Sequence, residues 1–251
     1  MGEISADRLY QIRALKVGEC RVRDYITYAN GAESTSTFYL YIWLILGGEQ
    51  PMLVDTGPKY AEEFNTATAS YIPGGILQTE QEKTPAALAS VGVNPADISH
   101  VFVTHLHPDH YEYFDLFPNA VMVANRRGFL AGLLGIRRHV MQALANRWPE
   151  SLLLVEDEEV VPGIRTFHLG CHSPCSQGVA VSTCAGTVVL AGDVAYKYRN
   201  LEENIPIGWV DPNEWMLAAD RLRAAGDIIL PGHDPDILSR YPGGVVGAQQ
   251  F

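Results

Sequence analysis

"VFVTHLHPDHYEYF", residues 101–114, places three histidines and an aspartate within six positions at the end of an apolar run. In an extended chain the side chains at i and i+2 leave on the same face, so His105 and His107 project together from the end of a strand expected at 99–104. One metal ion can meet both. Pro108 disfavours continued helix or strand through Leu106-His107, and the turn it promotes swings Asp109 and His110 toward a second position beside the first. The stretch therefore offers two half-sites. Neither is complete, because four-coordinate zinc takes three or four protein ligands.

The remaining donors must come from elsewhere in the chain. His172 lies in "LGCHSPCSQG", Asp193 in "LAGDVAY" and His233 in "LPGHDP", each just past an apolar, strand-like run and beside glycine or proline. Loops at a sheet edge commonly carry functional side chains in this way. The expected partition is His105, His107 and His172 around one ion and Asp109, His110 and His233 around the other, with Asp193 bridging.

Working outward, extended runs appear at 10–17, 20–28, 38–46 and 51–55, the later two followed by the turn signals "GGEQP" and "DTGP". Helical patterns follow at 59–71 and 84–92, where Thr84 is suited to cap and Pro85 to the first turn. A short buried strand is expected at 120–124 and a helix over 125–147, interrupted near Gly132 or Gly135. Further strands are expected at 152–155, 164–169, 177–183 and 187–191, then a helix at 212–225 and the strand "DIIL". Two mixed halves of sheet and helix emerge. No Pro/Ser-rich linker divides them, so residues 1–251 are expected to form one domain of layered sheets.

Composition narrows the functional classes. The chain has 251 residues, 47% hydrophobic and 19% charged, which suits a globular protein with a sizeable core. Its longest apolar stretch, "FYLYIWLIL" at 38–46, is far short of the roughly 20 residues a membrane-spanning helix needs. The N-terminus has no basic or apolar leader and Ala6 breaks the myristoylation pattern, so a cytoplasmic location is expected. The four cysteines, Cys20, Cys171, Cys175 and Cys184, are expected to be free thiols. A formal charge of −11 opposes a nucleic-acid partner, although Arg126-Arg127 and Arg137-Arg138 offer either a local basic patch or a solvated helix face.

"THLHPDH", the later "GCHSP", "GD" after a strand and a late "GH" together resemble the metallo-β-lactamase superfamily over about residues 38–235, and "LVDTG" at 53–57 resembles its early strand-turn motif. The resemblance implies an α/β fold, the four-layer αββα sandwich, in accord with the two halves. It also implies two divalent ions, zinc by default with manganese, cobalt or iron as alternatives. Asp55, in the strand-turn motif, is expected to orient the metal loops through hydrogen bonds rather than to bind metal.

Two adjacent ions lower the pKa of a shared water to about 7 and polarise the carbonyl or phosphoryl group under attack, so hydrolysis is the expected chemistry. Asp109 is nominated to relay a proton to the leaving group. "DVAYKYRNLEENIP" at 193–206 is similar to the N-acyl homoserine lactonase branch, in which a tyrosine follows the bridging aspartate by three residues, here Tyr196. Its phenol would donate to the developing oxyanion, a contact whose loss typically costs about 3 kcal/mol of transition-state stabilisation.

The sequence departs from that branch after the D-H pair, where small residues are usual and this chain has Tyr111, Glu112, Tyr113 and Phe114. Tyr111 and Tyr113 are therefore expected beside the substrate, with Tyr196, narrowing the pocket toward a small or aromatic lactone over a long acyl chain; the alternative for these aromatics is ordinary core, the reading taken for Phe114. Cys171 and Cys175 replace residues that tend to be glycine, and are read as buried fillers in preference to a redox pair. The leading expectation is a lactone hydrolase acting on a small molecule as monomer or homodimer. A thioesterase resembling glyoxalase II shares the ligand set, but only 18 residues follow His233, leaving little room for that family's basic extension. A non-catalytic metal-binding protein is disfavoured by retention of every candidate ligand.

Overall fold

The computed structural model describes residues 8–134, 142, 145–146 and 151–248. Its strands, in chain order, are β1 (Gln11–Arg23), β2 (Thr35–Leu46), β3 (Met52–Val54), β4 (His100–Phe102), β5 (Val121–Asn125), β6 (Leu152–Val155), β7 (Glu158–Val161), β8 (Ile164–His168), β9 (Gln177–Thr183), β10 (Gly186–Leu190), β11 (Ile228–Leu230) and β12 (Val245–Val246). They form a seven-stranded sheet in the order β12-β1-β2-β3-β4-β5-β6 and a five-stranded sheet in the order β11-β10-β9-β8-β7.

Alternation along the strands creates the layers. Ile12 and Ala14 of β1, Tyr41, Trp43 and Ile45 of β2, Val54, Phe102 and Val123 share one buried cluster with Ile164, Val179, Val181, Val188 and Leu230 of the other sheet. That cluster lies between the sheets. The opposite faces carry Leu40, Ile42, Leu44, Leu53 and Val101 on one side, and Phe167, Ala180 and Val189 on the other. Helix residues cover them, Ala87 and Leu88 from Thr84–Ser90 and Trp215, Ala218, Ala219 and Leu222 from Pro212–Ala225. Every residue of β9 is buried, as a strand covered on both faces requires. The two sheets flanked by helices match the αββα expectation, and full burial of a side chain such as Phe102 or Phe167 contributes roughly 1.5–3 kcal/mol.

Several elements differ from their expected limits for identifiable reasons. The runs 10–17 and 20–28 merge into one strand, whose register shifts between Lys16 and Gly18; Gly18 has φ 149°, so a bulge replaces the expected break. Residues 24–27 then form a helical turn, with the Asp24 carboxylate accepting from Ser34 and Ser36 hydroxyls. Thr84 does not cap its helix; its hydroxyl donates to the Thr56 carbonyl at 2.6 Å, fixing the loop after β3. The helix after β5 spans Arg126–Leu134, unbroken at Gly132, while Gly135 and Arg137-Arg138 lie outside the described residues. Arg127 pairs with Glu156 and Arg126 donates to the Leu154 carbonyl, so these arginines serve the fold. β7, carried by the charged stretch Glu158–Val161, was not anticipated. Among the described residues no helix is long and apolar enough to cross a membrane.

Candidate metal centre

The parallel strands β3 and β4, and β10 and β11, end on the same edge, and their exits carry the donor residues except His172, which lies in the loop between β8 and β9. The β3 exit carries Asp55, the β4 exit His105 to His110, the β10 exit Asp193 and the β11 exit His233. Open sheets place ligand sites outside the carboxyl ends of such strands. Backbone bonds tie the exits together. Asp55 N donates to Phe102 O, Gln177 N to Thr104 O, Gly232 N to Ala195 O and His233 N to Tyr196 O. Gly192 has φ 53°, and a Cβ there would stand 2.9 Å from the Thr104 Cβ, so close approach of the β10 and β4 exits requires glycine. The turn at Pro108 is the first turn of a short helix, Pro108–Tyr111, with proline at its start.

Two donor clusters result, His105, His107, His172 and Asp193, and beside them Asp109, His110 and His233; within each, the ligand atoms lie within 4.8 Å of one another. Asp193 spans both. Its Oδ2 is 3.4 Å from His105 Nε2 and 3.4 Å from His172 Nε2, while its Oδ1 is 3.2 Å from His110 Nε2 and 2.9 Å from His233 Nε2. His172 Nε2 stands 3.0 Å from His107 Nδ1, and Asp109 Oδ2 3.4 Å from His110 Nε2 and 4.0 Å from His233 Nε2. Donors held at about 2.0–2.1 Å around a tetrahedral ion stand roughly 3.3–3.4 Å apart, which this spacing approaches. The partition is the one read from the sequence.

The electrostatics also call for cations. His105 Nε2 and His110 Nε2 are sealed from solvent with no hydrogen-bond partner among the described residues. Burial holds His105 and His107 below the ordinary histidine range and pushes His172 down to about 3, leaving neutral rings with lone pairs to give. Burial opposes charge on His110 as well, but Asp193, Asp109 and Asp55 surround it and drive it well above the usual value. Asp193 and Asp109 remain ionised against their burial because His110 faces both. A buried group of carboxylates thus demands positive charge at its centre, and divalent ions suit the donor set.

Asp55 is placed as the sequence suggests. Its Oδ1 accepts from Thr104 N at 2.7 Å, and its Oδ2 from Thr104 Oγ1 at 2.8 Å and His110 Nδ1 at 2.8 Å. A carboxylate only accepts, so His110 Nδ1 carries a hydrogen and Nε2 is aimed at the other donors. Asp55 does this from a left-handed backbone, φ 59°. His233 is fixed likewise, its Nδ1 donating to the Tyr39 carbonyl at 3.0 Å.

A cavity of about 410 Å³ opens from the clusters, lined near them by His107, Asp109, His172, Asp193, Tyr196 and His233, and farther out by Phe64, Tyr71 and Trp209. Tyr196 is buried against Phe38, ring centroids 5.1 Å apart, and its hydroxyl lies 3.4 Å from His172 Nδ1. Tyr111 lines the cavity and Phe114 stacks on it, 6.2 Å between rings. The expectation for Tyr113 is not met. It is absent from the cavity wall, because the turn at Thr56, whose hydroxyl accepts from Tyr113 N, directs it toward Lys59. Glu112 accepts from Lys59 N and Tyr60 N and braces the cavity rim. All four cysteines are free; Cys175 Sγ accepts from Leu106 N, so it packs as a filler with a structural contact.

Three supporting residues escaped the sequence reading. Thr104 is the hub between Asp55 and the histidines, and Phe38 stacks on His233 at 5.1 Å. Lys197 is buried, donating to the Thr37 and His233 carbonyls with its ammonium 4.9 Å from the Phe38 ring centre. Thr104 is adjacent to the quoted motif, whereas nothing local marks Phe38 or Lys197.

Comparison with known proteins agrees with this architecture. The chain is 28% identical over 242 residues to N-acyl homoserine lactonase AiiA of Bacillus thuringiensis subsp. kurstaki, covering 92% of this chain and 94% of that protein. It is 29% identical over 187 residues to metallo-beta-lactamase domain-containing protein 1 of Homo sapiens, covering 74% of this chain and 58% of that protein. A crystal structure of a B. thuringiensis AiiA mutant with N-decanoyl-L-homoserine bound at the active site superposes with a TM-score of 0.78 at 25% identity, over 93% of this chain and 96% of that one. An N-acyl homoserine lactone hydrolase with the product N-hexanoyl-L-homoserine at its catalytic metal centre gives the same score, identity and coverage. The sequence model of the metallo-beta-lactamase superfamily matches residues 37–233, and the chain belongs to that superfamily.

Proposed function

We propose that this chain is a metal-dependent hydrolase that opens lactone rings, with N-acyl homoserine lactones as its substrate class. The observation that carries the reading is Asp193 set between two donor clusters in the wall of a cavity that Phe64, Tyr71, Ile72 and Trp209 also line. In this reading His105, His107, His172 and Asp193 hold one divalent ion, and Asp109, His110, His233 and Asp193 the other, zinc being the first choice. The ions would supply acidified water and a Lewis-acid hold on the ester carbonyl.

The chain's own residues supply the rest. With His172 Nε2 turned to the cluster and the ring neutral, its hydrogen resides on Nδ1 and points at the Tyr196 oxygen. The phenol hydrogen is then free to point into the cavity. Burial, followed by the charge of Asp193, lifts the Tyr196 phenol well above its usual value, so it stays a donor for a developing oxyanion. Asp109 remains ionised and borders the cavity, where it can take a proton and return it to the departing alkoxide. The apolar outer cavity receives the acyl substituent. The relatives named for N-acyl homoserine lactones, and the chain's similarity to them across nearly its whole length, support that substrate class. One catalytic domain working on a small molecule in the cytoplasm, as monomer or homodimer, completes the reading.

The test is elemental analysis of the purified protein together with a pH-indicator assay over lactones, thioesters, β-lactams and phosphodiesters. Two ions per chain with proton release on lactones alone is the expected result. Less than one ion per chain, or turnover of thioesters in place of lactones, refutes it. Asp109→Asn should depress turnover in protein that retains metal; unchanged turnover removes Asp109 from proton transfer.

A further inference from the structure

Trp209 combines two features that folding alone does not reward. Its side chain is 65% exposed, although it is among the largest apolar groups of the chain. Its backbone has φ 51°, a left-handed conformation that every residue except glycine adopts at a cost. Strain of this kind persists where the surroundings enforce it, and it gathers at functional sites.

The surroundings do enforce it. Gly208 N donates to the Ile26 carbonyl at 2.8 Å, and Ala29 N to the Pro206 carbonyl at 2.8 Å. A Cβ on Gly208 would lie 2.0 Å from the Tyr25 carbonyl oxygen, so the chain before Trp209 is pressed flat against the 24–29 turn. Ile207 is fully buried. Just after Trp209, the Asp211 carboxylate accepts from Asn213 N and Glu214 N and starts the Pro212–Ala225 helix. Both flanks are anchored, and Trp209 is carried outward between them. Its indole meets Tyr71 edge to face, ring centroids 5.2 Å apart at 83°, and both rings line the cavity that opens from the donor clusters. Phe64 and Ile72 continue this wall.

We propose that Trp209 is a specificity-determining residue, an aromatic wall fixed in place before binding, against which the apolar tail of a long acyl substituent packs. The inference rests on the proposed lactone hydrolysis and adds a chain-length preference to it. A long acyl chain reaches from the donor clusters to the Tyr71-Trp209 corner and removes indole surface from water. A short one leaves that surface exposed and gains nothing from it.

The experiment compares metal-loaded wild type with Trp209→Gly and Trp209→Phe on N-butanoyl and N-decanoyl homoserine lactone. Glycine suits the left-handed backbone, so the first variant is expected to fold with an undiminished melting temperature. The inference requires kcat/KM for the decanoyl substrate to fall about tenfold in Trp209→Gly, chiefly through KM, with the butanoyl value within about twofold. The phenylalanine variant should recover part of the loss. An unchanged ratio of the two substrates in folded Trp209→Gly overturns it, as does an equal loss on both. If wild type opens neither lactone, the proposed function falls, and the wall is judged by fluorescence titration with N-decanoyl-homoserine. A saturable blue shift in wild type that Trp209→Phe lacks supports the inference; no shift in wild type overturns it.

Discussion

Asp55→Asn isolates what the sheet contributes to the metal centre. The Asp55 carboxylate is buried at 1% exposure and accepts three hydrogen bonds, from Thr104 N, Thr104 Oγ1 and His110 Nδ1. Asparagine tolerates the left-handed backbone at φ 59°, so the loop after β3 survives the change. Its single carbonyl oxygen must stay with Thr104 N, a donor with no rotational freedom. The amide NH2 then replaces the oxygen that faced His110. Thr104 can rotate its hydroxyl to accept, but His110 Nδ1 now meets a donor and must give up its own hydrogen. In the neutral ring that metal binding requires, the remaining hydrogen then sits on Nε2, the nitrogen directed at Asp109 and Asp193, and the lone pair that would hold the second ion is blocked.

Losing such an orienting partner typically weakens metal binding 10- to 100-fold, about 1.4–2.7 kcal/mol. Only the Asp109, His110 and His233 half should feel it. The assay is zinc titration of metal-free protein against a competing chelator, resolved into two steps. The tighter or weaker step assigned to the second cluster should shift by that factor while the other holds. The charge-assisted bond to His110 is also lost, so the metal-free variant should unfold at lower urea by about 2 kcal/mol and still fold. Unchanged affinity at both steps, or equal loss at both in a folded protein, would refute the tautomer argument.

Tyr196→Phe should lower kcat for lactones about 100-fold with little change in KM, since the phenol acts on the developing oxyanion; an effect confined to KM would make Tyr196 a packing group. Burial lowers the Lys197 ammonium to about 8 from the 10.5 of a free lysine. Between those values the unfolded chain holds the proton that the folded chain has released, so stability rises with pH across the window, by up to about 3 kcal/mol. Urea unfolding at pH 8 and pH 10 should show that rise in wild type and lose it in Lys197→Met; equal slopes would contradict the burial argument. Burial pushes the thiols of Cys20 and Cys171 up to about 12, while Cys184 is exposed. Iodoacetamide at pH 8 should therefore modify Cys184 well before those two, as mass spectrometry of the peptides would show, and comparable early labelling of Cys171 would count against its burial.

The candidate site was legible in this sequence where its donors are marked locally, and hidden where it depends on packing. The H-x-H-x-D-H run, and His172, Asp193 and His233 after apolar strands, could be read because donor type, strand alternation and loop position are written within a few residues of each other. Asp55 was legible for the same reason, in a strand-turn motif. β7 was missed because its four residues begin with two glutamates, and the break expected near Gly18 became a bulge because β2 pairs continuously on both sides of it. Thr84 misled because a threonine before a proline reads as a cap, while the fold spends its hydroxyl on the Thr56 carbonyl. Tyr113 misled because adjacency to the D-H pair says nothing about the direction in which a ring leaves a turn. Lys197 and Trp209 show the limit most clearly. Lys197 lies between two tyrosines with no local signal of burial, and its partners are the carbonyls of Thr37 and His233, brought in by β2 and the β11 exit. Nothing in the sequence around Trp209 marks it, and only the anchoring of Gly208 on the 24–29 turn and of Asp211 on its helix carries the indole to the cavity. The donor set is therefore readable from its local pattern, while the wall of the cavity beside it is assembled from segments distant in the chain, such as Phe64, Tyr71 and Trp209, and no local pattern announces it.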